Sequence, residues 1–234
     1  MNRVLIILLL LAGLAPCSAA FAQTDCLQAV FAIEKELLHR QQSGECLLLE
    51  YTMRTTDWED ETHETSVKLY QKGRLSHLFS AEADIFQDKN EVFIALHGQK
   101  ILIRTNSSGE VKAGWKDDFL ELRREFLEHC TVERCDQEGA TGKTRRLVIG
   151  IPEDADLDLS IHRIEYRYNP EAQKITRTIM DYEEGYKWKQ IDIQFAALYE
   201  PVRYAFGASA KANVLDSLGK PKGKYARYTL VDNR

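Results

Sequence analysis

The stretch from Thr65 to Ser107 constrains this chain most. It reads as three or four short strands in succession, broken at Gly73, Glu82, Asp88-Lys89-Asn90 and Gly98. Apolar and polar residues alternate along it, with Val67 and Leu69 set against Ser66, Lys68 and Tyr70, and Ile101 and Ile103 against Leu102 and Arg104. A period of two cut at hairpin length describes an antiparallel meander with a buried face. No catalytic signature lies inside it, so function has to be argued from what such a sheet can hold.

The N-terminus reads as a targeting segment. Arg3 precedes the apolar run from Val4 to Ala12, and Ala20-Phe21-Ala22 places small residues where a signal peptidase cuts, which makes Gln23 the expected mature N-terminus. The run is too short for a comfortable membrane span. A competing cut at Leu14-Ala15-Pro16-Cys17 would leave an acylated Cys17, but proline before the cysteine fits a lipobox poorly. Removing residues 1–22 leaves 212 of the 234 residues, with no apolar run long enough to cross a membrane. Export to the periplasm is therefore expected. A formal charge of −5 for the whole chain argues against nucleic acid as a partner.

Four cysteines follow the cut: Cys26, Cys46, Cys130 and Cys135. In an exported chain an even count suggests two disulfides, and four cysteines allow three connectivities. Proximity favours Cys26–Cys46 and Cys130–Cys135. The spacing does not suggest a zinc site.

Along the chain, Cys26–Arg40 places Leu27, Val30, Phe31, Leu37 and Leu38 on one helical stripe. Cys46–Thr56 alternates as a strand, and Asp57-Trp58-Glu59-Asp60-Glu61 reads as a solvated hairpin tip, lacking the glycine and spaced ligands of a calcium loop. After the meander, Trp115, Phe119, Leu122 and Phe126 form the stripe of a second helix, Trp115–Cys130. A polar loop, Thr131–Gly142, leads to a second meander: Thr144–Ile151, Ser160–Asn169, Lys174–Tyr182 and Tyr186–Phe195. The chain ends in an expected edge strand, Lys224–Val231. Two amphipathic helices and nine or ten antiparallel strands, with no βαβ rhythm or divided composition, read as one α+β domain over residues 23–234.

Catalytic signatures are missing from the sequence. Its six histidines show no metal-ligand spacing, Gly207-Ala208-Ser209-Ala210 stops short of a nucleophile elbow, and Gly142-Lys143-Thr144 lacks the glycine and helix of a phosphate loop. Asp84 with Asp88 is the one pair that a glycosidase comparison brings up, and it reads as a solvated turn. No enzyme activity, cofactor or metal is expected. What remains is apolar and aromatic: Tyr51, Leu69, Phe79, Phe86, Phe93, Ile101, Tyr166 and Trp188 on strands, and Trp115, Phe119 and Phe126 on a helix. Most of these belong in a core, but a large sheet covered by few helices leaves apolar space of the kind lipid sites use. The strands also carry long cations, Arg54, Lys68, Arg74, Arg104, Arg163, Arg177 and Lys187 among them, and the tail is basic at Lys211, Lys220, Lys222, Lys224 and Arg227.

The strands carrying Lys68-Leu69-Tyr70-Gln71-Lys72-Gly73, Asp84-Ile85-Phe86-Gln87-Asp88, and Glu91-Val92-Phe93-Ile94 followed by Gln99-Lys100-Ile101, with the ending Tyr225–Arg234, resemble the periplasmic outer-membrane lipoprotein carriers (LolA-like), especially divergent relatives in Bacteroidetes-type bacteria. The resemblance implies an unclosed half-barrel of antiparallel strands with helices as a lid. It also implies a monomer that holds lipid or lipoprotein acyl chains between sheet and lid, taking them from an inner-membrane donor and passing them to an outer-membrane acceptor. The aromatic and aliphatic residues named above would then line the cargo space. Arg54 is the nearest match to the arginine that tethers the lid in that family. The alternative is an exported interaction module of the same fold without cargo.

Overall fold

The computed structural model describes residues 15–107 (of 15–24 the backbone alone), 130–138, 142–152 and 160–234. A long helix, α1 (Ala15–Gln42), opens the chain. It is followed by β1 (Leu47–Thr56), β2 (Thr62–Lys72), β3 (Leu75–Ser80), β4 (Ala83–Gln87), β5 (Glu91–Leu96) and β6 (Ile101–Asn106). Then come β7 (Thr131–Glu138), β8 (Thr144–Gly150), β9 (Ile161–Asn169), β10 (Lys174–Tyr182) and β11 (Gln190–Pro201), a one-turn helix α2 (Ala210–Val214) and β12 (Thr229–Asp232). All twelve strands form one sheet in the order β12-β6-β5-β4-β3-β2-β1-β11-β10-β9-β8-β7. The order is linear, so among the described residues β12 and β7 are the edges and the sheet is not closed. Every pairing is antiparallel except β12 on β6, which is parallel.

The meander contains five strands where three or four were expected, with turns at the glycine and acidic breaks read from the sequence. Three further expectations need correction. The polar loop expected at Thr131–Gly142 is mostly strand β7, whose charged residues suit an edge that must stay in water. The first helix starts upstream of Cys26, at Ala15, and continues through the expected cleavage site. The strand count is twelve, not nine or ten. The expected helix Trp115–Cys130 lies outside the described residues apart from Cys130; two helices, α1 and α2, are present among them.

Direct cross-strand partners share a sheet face, so the register sorts every side chain. On one face α1 packs across β7, β8, β10 and β11. Cys26, Val30 and Ile33 are buried there against Leu147, Ile149, Tyr168 and Ile175. Burying this stripe is what holds a helix to a sheet, each large aliphatic contributing about 1.5–3 kcal/mol. On the opposite face, the segment after β11 turns back over β3–β6. It buries Ala210, Val214, Leu215 and Tyr225 against Phe86, Phe93, Ala95 and Leu102 before ending as β12.

The disulfide joins Cys26 of α1 to Cys135 of β7, with Cα atoms 6.1 Å apart and a sequence separation of 109. Cys46 and Cys130 are free thiols. The pairing expected from proximity is therefore corrected: α1 lies across the distant end of the sheet, so the nearest cysteine in space is far away in sequence. Closing a loop of this length restricts the unfolded chain and stabilises by about 4–5 kcal/mol in the chain-entropy treatment. Cys26→Ser is expected to lower the free energy of unfolding by about 2–5 kcal/mol in a denaturant titration, whereas Cys46→Ser changes it by less than about 1 kcal/mol. Equal losses from the two variants would contradict the pairing.

Candidate functional site

The face that carries α1 is apolar far beyond the helix. Starting from β1, Leu49 pairs with Leu69, Leu69 with Leu78, Leu78 with Ile85, Ile85 with Ile94, Ile94 with Ile103, and Ile103 with Val231. One aliphatic row thus crosses seven strands. A second row runs the other way, from Thr55 through Ile191, Met180, Ile164 and Ile149 to Val132. Beside them Tyr51 pairs with Phe195, their rings edge to face with centroids 6.2 Å apart. Burial raises the pKa of the Tyr51 hydroxyl. On the β7–β11 half Ile149 is buried beneath α1 and Ile164 is buried against Ile151, while Ile191, Met180 and Val132 are half-buried. On the β2–β6 half, Leu69, Leu78, Ile85, Ile94 and Ile103 are only half-buried.

The long cations of the strands lie on the far face. Arg146, Arg167 and Arg177 stand side by side across β8, β9 and β10, an arrangement that is repulsive unless acids neutralise it. They are paired with Asp136 (2.9 Å), Glu165 (3.0 Å) and Asp192 (2.6 Å). Arg163 bonds Asp181 at 3.0 Å, Lys68 meets Glu50 at 3.1 Å, and Arg104 pairs with Glu91. The hydrogen bond from Arg146 holds the Asp136 carboxyl below its ordinary range. These charges are gathered on one surface of the sheet and internally satisfied, while the other surface carries Arg145 beside Tyr168 and is otherwise largely apolar.

The expected site residues divide between the two faces. Tyr51, Leu69, Ile101 and Tyr166 lie on the α1 face. Phe79, Phe86 and Phe93 do not: they pair with Lys68, His77 and Arg104 respectively and lie on the far face beneath the C-terminal segment. This is a correction, and the alternation of the strands causes it, since Leu78, Ile85 and Ile94 occupy the positions facing the other way. Arg54 is also on the far face, bonded to Glu64 at 3.0 Å, and not on the face that carries α1. Trp188 lies in the turn between β10 and β11, with the Lys187 ammonium 4.4 Å from its ring. Trp115, Phe119 and Phe126 are outside the described residues.

Asp84 and Asp88, expected in a solvated turn, are 2% and 7% exposed. Each anchors the C-terminal segment. Asp84 accepts a 2.6 Å hydrogen bond from the Tyr225 hydroxyl and pairs with Lys224 at 2.7 Å and His97 at 3.3 Å. Burial and the Asp84 contact push the Tyr225 pKa far up. Asp88 accepts N–H bonds from Asn90, Glu91 and, at 2.8 Å, Ala210 at the start of α2. Burial opposes its ionisation, but those donors outweigh it and its pKa is lowered. His77, 3% exposed, contacts the Tyr204 hydroxyl at 2.9 Å and the Asn213 amide at 3.2 Å, inside a ring of Phe79, Phe86, Tyr204 and Phe206. Sequence reasoning passed over this latch, although an acid two residues before Phe86 and a histidine between two leucine positions are its traces. The groups are fully engaged with one another, so they read as structural.

Two other groupings were tested against the geometry. Asp57, Glu61 and His63 bring ligand atoms within 4.8 Å of one another at the β1–β2 turn, but Asp57 Oδ1 already accepts the N–H groups of Glu59 and Glu61. A cleft of about 970 Å³ near the β10–β11 turn is lined by Trp58, Ile151, Pro152 and Tyr182 together with Glu133, His162, Asp181, Glu183, Glu184 and Lys189. Its ionisable groups set it apart from the aliphatic row.

No family model matches the chain, and no curated protein does. Solved structures similar to it include an uncharacterized conserved protein from Thermus thermophilus, at 11% identity over 86% of this chain and 99% of that one (TM-score 0.44). They include the Mycobacterium tuberculosis lipoprotein LppX, at 13% identity over 75% of this chain and 98% of that one (TM-score 0.40). A LolA superfamily protein from Nitrosomonas europaea is also among them, at 10% identity over 72% and 94% of the respective chains (TM-score 0.32).

Burial lowers the pKa of His77, which makes the latch sensitive to acid. The folded form keeps the ring neutral while the unfolded chain protonates near 6.5, so stability is full above pH 6.5 and falls as the pH drops below it. Asp88, with its lowered pKa, adds a second loss below about pH 4. Thermal melts from pH 8 to pH 3 are expected to show both steps. His77→Phe should remove the first while lowering stability at pH 8 by about 1–2 kcal/mol through the orphaned Tyr204 and Asn213 groups. A first step that survives the substitution would assign it elsewhere.

Proposed function

We infer that this protein is an exported, periplasmic carrier of hydrophobic ligand, holding lipid or lipoprotein acyl chains against the α1 face of the β2–β6 half-sheet. The observation that carries this reading is the aliphatic row from Leu49 to Val231, which stays apolar across seven strands while the cations are held on the other face. The central members of the row remain half-buried, and a saturated chain laid along them would gain about 0.8 kcal/mol per methylene removed from water. No step in this reading breaks a bond, so the protein acts by binding and release and not as an enzyme. The putting on and taking off of cargo would require a donor and an acceptor at the two membranes, in keeping with the family that the meander resembles. The targeting segment before Gln23 supports export, and among the described residues no helix is long and apolar enough to cross a membrane.

Native mass spectrometry of gently purified protein is expected to show bound lipid, and a fluorescent fatty acid to bind at micromolar concentration. Leu78→Asp or Ile94→Asp, placing a charge in the row, should weaken that binding tenfold or more, about 1.4 kcal/mol or greater. Lys68→Ala on the far face should leave it unchanged. If neither assay detects ligand, the row is sealed by protein and the cargo-free module is the better reading.

A further inference from the structure

The charge of this chain is unevenly placed. Between Arg203 and Tyr228 it carries six basic residues, Arg203, Lys211, Lys220, Lys222, Lys224 and Arg227, against a single acid, Asp216. That segment is +5 in a chain of −5, so the remaining residues sum to −10. All six cations are exposed. The arginines of the sheet are matched with carboxylates, but here only Lys224 makes an ion pair among the described residues. The rest of the molecule has acids enough to neutralise them, yet the fold keeps them apart.

The same segment presents the most exposed large apolar residue among those described. Leu218 is 79% exposed, about twice Trp58, Tyr186 or Val231. It is not a loose end. Asp216 Oδ1 accepts the N–H groups of Leu218 and Lys220, both at 2.9 Å, and Gly219 takes the positive φ of +76° that closes the turn. At the base Leu215 bridges Pro221, and Val214 and Leu215 are 0% and 3% exposed in the core against β3–β6. A turn rooted in the core therefore holds one leucine outward, with Lys211 before it in the chain and Lys220 and Lys222 after it.

We propose that the segment from Lys211 to Lys222 docks this protein onto an anionic lipid bilayer surface, its lysines among the headgroups and Leu218 inserted beneath them. The chemistry favours a bilayer over an acidic protein: unpaired mobile cations suit a diffuse negative surface, and a lone apolar tip flanked by lysines suits the boundary between headgroup and acyl chain. The −10 remainder of the chain is repelled by the same surface, so attraction and repulsion together orient the molecule with the C-terminal segment down. This docking does not depend on the cargo reading, because it uses the far side of the sheet from the aliphatic row.

Co-sedimentation of the purified protein with phosphatidylglycerol-rich vesicles, compared with pure phosphatidylcholine vesicles, tests it. Binding to the anionic vesicles alone, released by high salt, is the expected result. The variant Lys211→Ala/Lys220→Ala/Lys222→Ala should weaken it about a hundredfold, near fivefold per charge. Leu218→Ser should weaken it about tenfold while leaving the salt dependence in place. Both variants alter exposed side chains and should melt as the parent does. Sedimentation with neither vesicle, equal sedimentation with both, or full binding by the folded triple variant would overturn the proposal. Capture of soluble polyglutamate without vesicle binding would overturn it in favour of an acidic protein partner. Leu78→Asp, which should abolish fatty-acid binding, should leave vesicle binding intact, so the two readings fail separately.

Discussion

The structure depends on strand register. Twelve strands are paired so that two rows of mostly aliphatic side chains cross one face, while the arginines of the other face reach aspartate or glutamate on the same or neighbouring strands. Because side chains alternate with a period of two, a slip of one residue at any pairing would turn a charged strand face toward α1. The separation is therefore both a consequence of the fold and a reason for its uniqueness: the wrong registers bury Arg146, Arg163 or Arg177 unpaired.

Each face is closed by a different device. α1 lies over β7–β11 and is fixed to the outermost strand by Cys26–Cys135, tying the start of the chain to its middle. On the far face of β3–β6 the C-terminal segment is fixed by polar groups: Asp84 to Tyr225 and Lys224, Asp88 to the first turn of α2, His77 to Tyr204 and Asn213. Burying these groups would be costly if any partner were missing, so the segment is held in one position. A covalent staple and a buried hydrogen-bond latch thus hold the two coverings on opposite sides of one sheet, and the α1 face of β2–β6 is the surface on which neither does.

Much of this was legible in the residues, and the failures have particular causes. The turns of the meander could be read because Gly73 and Asp88-Lys89-Asn90 interrupt the alternation. The helical stripe of Val30 and Leu37 could be read because water lies on its other side. Phe79, Phe86 and Phe93 were assigned to the wrong face because β3–β5 are apolar on both faces. Leu78-Phe79, Ile85-Phe86 and Phe93-Ile94 are each apolar at consecutive positions, and a strand apolar on two faces loses the alternation that would sort them. β7 was read as a loop because Glu133, Arg134 and Asp136 are the charges of an edge strand. The disulfide was misassigned because sequence proximity says nothing of a helix laid across the far end of a sheet. The buried roles of His77, Asp84 and Asp88 depend on a segment more than a hundred residues away, and no local pattern contains that.

The central claim is that the α1 face of β2–β6 receives acyl chains, and photo-cross-linking with a diazirine-labelled fatty acid tests it directly. Peptide mapping of the adducts is predicted to find them on β2–β6 at Leu69, Leu78, Ile85, Ile94 or Ile103. Adducts confined to Phe79, Phe86 and Phe93 beneath the C-terminal segment, or no adduct at saturating probe, would contradict it.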